Sequence, residues 1–217
     1  MSLEKPQATP DPRSPLPQAE VEAGPHARRV LEDPTVLRAF AHPLRLRLHR
    51  LLIREGSCSA AYAARELGIS QALASHHLHQ LAKYGFAEQL PGRDRRERPW
   101  RALSTSTTWL GVDQTDEGAM AADLLEQTLA EQSISNLLEW QQRRREDAEA
   151  VWHDVAGLDT SLMYLSPDEA DEIGTAFEAL CRPYINRRLD ASERPSGTRP
   201  VELTLFLVPL IPTATGS

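Results

Sequence analysis

The first half of the chain carries apolar residues at the three- and four-residue spacing of amphipathic helices. Asp33 followed by Pro34 predicts the start of a short helix, because Asp caps helices well and Pro fits the first helical position. A second helix is expected to begin at Pro43 and to end at Gly56. Its apolar face is expected to consist of Leu44, Leu48, Leu51 and Leu52.

Two more helices follow, separated by a tight turn. Ser59, or alternatively Ser57, is expected to cap a third helix that ends near Leu67. Gly68 suits the turn, and Ser70 then caps a fourth helix. The inward face of this fourth helix is expected to contain Leu73 or Ala74, together with Leu78 and Leu81. The pattern predicts a helix-turn-helix whose second helix begins with small polar residues.

A β-hairpin is predicted after the fourth helix. Residues 86–90 and 98–103 have the length of strands, and Pro91-Gly92 lies in the loop between them. A basic hairpin beside a helix with a small polar N-terminus fits DNA, since the helix can enter the major groove while the hairpin contacts the backbone.

The second half of the chain is less regularly patterned. Residues 117–155 have the spacing of one long helix or two, and a capping box at residues 166–169 begins another helix that Pro183 should kink or shorten. Residues 201–208 alternate like a strand, with residues 162–165 as a possible partner. The aromatic residues here are expected to form core and dimer interface or, alternatively, a pocket for an effector: Trp140, Trp152, Tyr164, Phe177 and Tyr184.

These elements predict a mainly α protein with a small β component. Residues 1–27 are rich in Pro and Ala without periodicity, which is typical of a disordered tail. Residues 28–104 are expected to form a winged helix-turn-helix domain. Residues 115–217 are expected to form a helical dimerisation and regulatory region with a short β ribbon.

The charge of the chain is unevenly distributed. The net charge is −7, which by itself does not favour a nucleic-acid partner. Residues 28–103, however, hold 14 Arg and Lys against seven Asp and Glu and carry +7, so the remainder carries −14. Because phosphate meets the local field of a protein, this basic block is the expected footprint for nucleic acid.

The fourth helix carries side chains that can contact DNA. Gln can pair bidentately with adenine, Ser can bond to several bases or to phosphate, and Ala can pack on a thymine methyl group. The candidate DNA-binding residues of this helix, which is expected at about residues 70–84, are Ser70, Gln71, Ala72, Ser75, His76, His77 and His79. Partial burial is expected only for His77. The alternative, a polar surface helix that binds nothing, is disfavoured by the adjacent basic hairpin.

The hairpin loop concentrates arginines, interrupted only by Asp94 and Glu97. Guanidinium groups suit phosphate or the narrow minor groove. The candidate DNA-binding residues of this wing are Arg93, Arg95, Arg96 and Arg98. A charge run is usually a solvated face, and that remains the alternative.

Several of these segments resemble the winged-helix repressors of the ArsR/SmtB type. The resemblance is carried by His42-Pro43-Leu44-Arg45-Leu46-Arg47-Leu48, Ser70-Gln71, Ser75-His76-His77-Leu78, Leu81 and Gly85-Phe86. It covers residues 33–103, about a third of the chain. The resemblance implies a homodimer that reads an imperfect palindrome in double-stranded DNA, with the long helix after the wing as the dimerisation element.

The sequence gives little support for a metal site or for catalytic activity. Metal-sensing members of that family carry a Cys-X-Cys motif, where this chain has Ser57-Cys58-Ser59. One thiolate is not a soft-metal site, and histidines on a recognition helix are more often DNA contacts than ligands. No nucleophile–base pair, phosphate loop or metal constellation has usable spacing. We therefore expect no metal, no cofactor and no catalysis.

A protein-interaction module acting through the acidic C-terminal region is the remaining alternative. No apolar run reaches the roughly 20 residues that a membrane helix needs. The N-terminus has no apolar stretch typical of a secretory signal, and Cys58 and Cys181 stand alone, as reduced thiols do. The expectation is a cytoplasmic protein without a membrane partner.

Overall fold

A computed structural model describes residues 29–91, 98–103, 107–109, 115–146, 150–189 and 191–210. The predicted tail at residues 1–27 lies outside the described residues. The helices are α1 (Pro34–Phe40), α2 (Pro43–Glu55), α3 (Ala60–Leu67), α4 (Gln71–Lys83), α5 (Asp116–Arg143), α6 (Val151–Val155), α7 (Pro167–Cys181) and α8 (Asn186–Leu189). The strands are β1 (Arg29–Leu31), β2 (Ala87–Gln89), β3 (Trp100–Ala102) and β4 (Thr107–Trp109).

Side-chain caps fix the starts of the first helices where the sequence predicted them. The carboxylate of Asp33 accepts a hydrogen bond from the backbone N–H of Thr35 at 2.7 Å, and Pro34 follows as the first helical residue. Ser59, not Ser57, caps α3 by accepting from the N–H of Tyr62 at 3.1 Å. Each such cap stabilises its helix by about 1 kcal/mol. The capping box predicted before α7 is also confirmed.

The core of the first half lies between α2, α4 and the hairpin. Its largest fully buried side chains include Leu37, Leu46, Leu48, Leu52, Leu78, Leu81 and Phe86. The rings of Phe40 and Phe86 stack with their centroids 4.0 Å apart, which joins α1 to the segment after α4. Leu46 is buried whereas Leu44 is only half-buried, so the predicted inner face of α2 was wrong in one of its four residues. The reason is that α2 packs against both α4 and α5.

The hairpin after α4 is antiparallel, as predicted. Glu88 pairs with Arg101 in the register, and the Arg101 Nε donates to the Glu88 carboxylate at 3.0 Å. The backbone N–H of Trp100 donates to the carbonyl of Cys58 at 2.8 Å, and the N–H of Cys58 donates back at 3.0 Å. The base of the wing is therefore joined to the segment just before α3. The mainly α fold with a small antiparallel sheet after the helix-turn-helix is confirmed.

The long helix α5 packs mainly against α1 and also contacts α2. Ala121 and Leu125 face inward and are fully buried, and Arg38 of α1 lies 2.7 Å from the Glu117 carboxylate. Nearby, β1 pairs with β4 in parallel. The sequence left open one helix or two over residues 117–155, and the structure has two, α5 and α6.

One expectation for the C-terminal half, the β ribbon, was wrong, and the pocket that was the alternative role of the aromatic residues does not form. Residues 162–165 and 201–208 form no strand, although both are among the described residues. The five aromatic residues do not surround one pocket, since Tyr164 is 99% exposed and Tyr184 is exposed as well. Trp140 and Trp152 are brought together by Arg199, whose guanidinium lies 5.8 and 5.6 Å from their ring centroids.

Within the described part of the chain, no helix has both the length and the apolar character needed to cross a membrane.

Shortening a core side chain of α4 should cost far more stability than shortening an exposed one. Leu78→Ala should lower the free energy of unfolding by ~2–5 kcal/mol, because Leu78 is fully buried and its removal leaves a cavity. Leu73→Ala on the same helix should cost much less, since Leu73 is 41% exposed. Urea unfolding followed by circular dichroism measures both variants. Equal decreases in stability would contradict this orientation of α4.

Candidate nucleic-acid interface

The N-terminal turns of α4 are presented to solvent. Gly68 takes the left-handed conformation at φ 65°, which turns the chain between α3 and α4, and Ser70 caps α4 by accepting from the N–H of Leu73 at 3.2 Å. Ser70, Gln71, Ala72 and His76 are exposed, and Ser75 is half-buried. These side chains and the free N–H groups of the first turn form a surface that can contact base edges or phosphate.

The opposite side of α4 is buried. Ala74, Leu78 and Leu81 are at most 1% exposed, so Ala74, and not Leu73, belongs to the buried face of α4. Leu73 instead lies on the exposed side, where an apolar side chain can pack on a thymine methyl group. The sequence did not nominate Leu73 as a contact, because its spacing fits the buried face equally well.

His79 connects α4 with the wing. Its Nδ1 donates to the carbonyl of Ser75 at 2.8 Å, and its ring meets that of Trp100 edge-on at 4.9 Å between centroids. The imidazole is exposed but held by both neighbours. His79 therefore fixes the spacing between α4 and the wing, and its outer edge is available to DNA.

His77 does not face the exposed surface. It is 8% exposed, its ring lies 4.7 Å from that of His42, and its Nδ1 has no hydrogen-bond partner among the described residues. Burial lowers the pKa of His77, and the nearby His42, Arg45 and His76 lower it further. Burial and Arg45 also lower the pKa of His42. This buried, neutral imidazole packs α4 onto the start of α2, so we omit His77 from the proposed DNA contacts.

The wing is described only at its base. Arg98 is exposed where the chain re-enters the described residues, next to β3. The candidate residues Arg93, Arg95 and Arg96 lie outside the described residues. Arg101, further along β3, is held by Glu88 across the hairpin.

Several arginines of the basic block are paired with acids of the same chain. Arg54 lies 2.7 Å from Glu55, and Arg50 lies 2.8 Å from Glu202. On α3, Arg65 is well exposed, with its Nε 4.0 Å from the Glu66 carboxylate and its guanidinium 5.1 Å from the centre of the Tyr62 ring. The first helix of a helix-turn-helix crosses the DNA backbone, so Arg65 is a candidate phosphate contact that the sequence analysis did not single out.

The lone thiol near α3 is buried. Burial raises the pKa of Cys58 to about 11, with the charge of Glu55 as the next cause. The thiol is therefore protonated at neutral pH, a form that binds metals poorly. No group of three or more potential metal ligands occurs among the described residues.

Acid should destabilise the folded protein through His77. Its folded pKa is below the ordinary value of 6.5, so the unfolded chain binds the proton more readily. The stability that the neutral imidazole contributes above pH 6.5 is lost as the pH falls toward the folded pKa. The urea midpoint should therefore fall between pH 7.5 and pH 5.5, and it should fall less in His77→Asn. The difference between the urea midpoints of the two proteins at pH 7.5 gives the stability that His77→Asn loses through altered packing. Identical pH dependence in the two proteins would contradict this role.

Comparison with known families agrees with this geometry. A family model described as a helix-turn-helix domain matches residues 40–89, which span α2, α3, α4 and β2. No curated protein matches the chain. The chain thus carries a helix-turn-helix domain, which supports a winged helix-turn-helix regulator that binds DNA.

Proposed function

We propose that this protein is a dimeric, sequence-specific transcriptional repressor of the ArsR/SmtB-like type. The observation that carries the proposal is the exposed N-terminal half of α4, whose other side is buried and whose neighbour is an arginine-rich wing. In this arrangement α4 enters the major groove, and the wing contacts the backbone or the minor groove.

Bases are read by the exposed side chains at the start of α4. Gln71 can bond bidentately to adenine, Ser75 can bond to a base or a phosphate, and Ala72 and Leu73 can contact thymine methyl groups. His76 lies one helical turn further on and can donate to a phosphate. The cap residue Ser70 places the free N–H groups of the first turn near the backbone.

The wing arginines supply affinity rather than sequence preference. Arg93, Arg95, Arg96 and Arg98 follow β2 closely in sequence, and Trp100 fixes the other end of the wing to the segment before α3. Arginine contacts with phosphate are strong and bidentate, and they make binding depend on salt.

A homodimer is supported by an apolar stripe on α5. Met120, Leu124, Ile134 and Leu138 lie on one side of this helix and are 68, 44, 50 and 51% exposed. The buried residues Ala122 and Leu125 lie on the opposite side, so the stripe points away from the helix-turn-helix core. Two such stripes packed together would bury these side chains and place two copies of α4 on one palindromic site.

Regulation by a small molecule is supported by a groove between α2 and α5. Its volume is about 350 Å³, within the range of small-molecule sites. Arg47 of α2 and Glu131 and Glu139 of α5 line it together with hydroxyl and amide groups, so it suits a polar ligand. A ligand here would contact both the DNA-binding domain and the helix of the proposed dimer interface. It would regulate DNA binding if its affinity differed between two relative arrangements of α2 and α5.

The first experiment is selection of genomic DNA fragments by the purified protein in the presence of excess nonspecific competitor. Recovery of a few palindromic sites is the expected result. Recovery of nothing above competitor, with a stable protein partner isolated instead, would favour the alternative of an interaction module.

Substitutions in α4 and in the wing should have different effects on binding to a recovered site. Gln71→Ala should weaken specific binding by ~1–3 kcal/mol with little change in nonspecific binding, because it removes a base contact. Arg95→Ala with Arg96→Ala should weaken both, and should reduce the salt slope by roughly one for each phosphate that the wing no longer neutralises. Fluorescence anisotropy at several salt concentrations measures both quantities. Arg143→Ala with Arg144→Ala at the end of α5 is the matched control for removal of two cations, and an unchanged slope in the wing variant would rule out phosphate contacts there.

Charges placed on the α5 stripe should separate the dimer. Ile134→Asp with Leu138→Asp should give a monomer in light scattering, because two pairs of carboxylates cannot be buried together. The control, Ile134→Val with Leu138→Met, keeps the stripe apolar and should remain dimeric. A dimer that survives both carboxylates would exclude this part of α5 as the interface.

A further inference from the structure

A stretch near the C-terminus is attached to the second half of α5. The guanidinium of Arg199 lies 5.8 Å from the centre of the Trp140 ring. One turn earlier on α5, Asn136 donates a hydrogen bond to the Glu202 carboxylate, and Ser133 donates to the same carboxylate at 2.7 Å. This stretch therefore contacts successive turns of one helix through polar and cationic side chains.

Glu202 also reaches α2. The Arg50 guanidinium of α2 lies 2.8 Å from the Glu202 carboxylate. Burial alone would raise the pKa of Glu202, but hydrogen bonds from Asn136 and Ser133 and the charge of Arg50 lower it overall. One ionised carboxylate thus accepts from α5 and pairs with α2 at the same time.

The two helices that Glu202 joins are separated by the groove of about 350 Å³. Pro43 and Arg47 line it from α2, and Asn136 lines it from α5. Arg50 follows Pro43 and Arg47 at the spacing of one helix face, so it continues the same wall. Glu202 therefore links α2 to α5 beside a space that the side chains of these helices leave open.

The first half of α5 is held in a different way. Ala121 and Leu125 are fully buried, and α5 packs there against α1. The ion pair between Arg38 and Glu117 at this end is exposed, and exposed pairs add little to packing that is already apolar. The direction of the second half of α5 consequently depends on Glu202 more than the first half depends on Glu117.

We propose that Glu202 is a positioning residue for DNA binding: by tying the second half of α5 to α2, it fixes the distance between the two recognition helices of the dimer. This inference rests on the proposed homodimer, whose apolar stripe includes Ile134 and Leu138 in the same half of α5. Since α2 packs against α4, a change of angle between α2 and α5 moves α4 relative to its copy in the other chain. A displacement of about 3.4 Å along the duplex corresponds to one base pair.

The dependence of affinity on half-site spacing tests the inference. Fluorescence anisotropy is measured on duplexes that carry the selected half-sites at their natural separation, or with a base pair added or removed, and on a duplex with a single half-site. In full-length Glu202→Gln, the preference for the natural separation should fall by roughly fivefold or more, while affinity for the single half-site stays the same. Arg50→Gln should have the same effect on the preference, and the double variant should add little, because each substitution removes the same interaction.

Glu117→Gln is the matched control. It removes the carboxylate of another ion pair between α5 and the DNA-binding domain, at the end where Ala121 and Leu125 already hold the helix. Its spacing preference should equal that of the unchanged protein. A general loss of folded protein in any variant would lower the affinity for all duplexes alike and would leave the ratio between spacings unchanged.

Three results would overturn the role of Glu202 and leave the proposed function standing. One is an unchanged spacing preference in Glu202→Gln. Another is weaker binding of this variant to the single half-site, which would place the effect within the DNA-binding domain. The third is an equal loss of preference in Glu117→Gln. By contrast, an unchanged protein that selects no genomic site, or that is monomeric in light scattering, would contradict the proposed function or its dimer, and the inference with it.

Discussion

Burial of one side of α4 is the constraint on which the DNA-facing surface depends. Ala74, Leu78 and Leu81 fill the space against α2 and α3, and the remaining side of the helix, beginning at Gln71, has to face solvent. Rotating α4 to expose Leu78 or Leu81 would cost about 1.5–3 kcal/mol for each side chain. The interface is therefore positioned by apolar packing behind it rather than by the polar residues that compose it. Trp100 extends this control to the wing, because it contacts His79 and bonds to the backbone of Cys58.

Ion pairs within the chain reduce the number of arginine side chains that are free to contact DNA phosphate. Arg38, Arg50, Arg54 and Arg101 each lie beside an acid of the same chain. Exposed ion pairs of this kind add little to stability, but the two that use acids from outside residues 28–103, Glu117 and Glu202, each offset one positive charge of the basic block. Arg65 of α3 lies 4.0 Å from Glu66 but is 71% exposed, and the exposed Arg98 lies just before β3, so both guanidinium groups are presented to solvent on the segments that flank α4. The net charge of +7 calculated for residues 28–103 is therefore reduced by two charges in the folded protein.

The C-terminal half shows why a correct local pattern is not sufficient for a strand. Residues 201–208 have the alternating sequence of a strand, and Glu202 and Thr204 both bond to Ser133 of α5, but the segment forms no strand. A strand also needs a neighbour for its backbone, and no other segment of the described chain provides one. The aromatic pocket, which the sequence left as an alternative, does not form for a related reason, since spacing along a helix cannot tell which other element packs against that helix. Tyr164 consequently lies in the open while Trp140 and Trp152 meet over Arg199.

The sequence by itself determined the order and starts of the first four helices, the hairpin and the outward set at the beginning of α4, because caps, turns and apolar spacing act over a few residues. It did not determine that Leu46 is buried, that His77 lies against His42, or which arginines are paired. Only the tertiary structure decided these, because each depends on a residue from a distant element: His42 beside His77, and Glu202 beside Arg50. Contacts between distant elements depend on how whole helices pack, and that packing is set by the total burial of the domain rather than by local sequence.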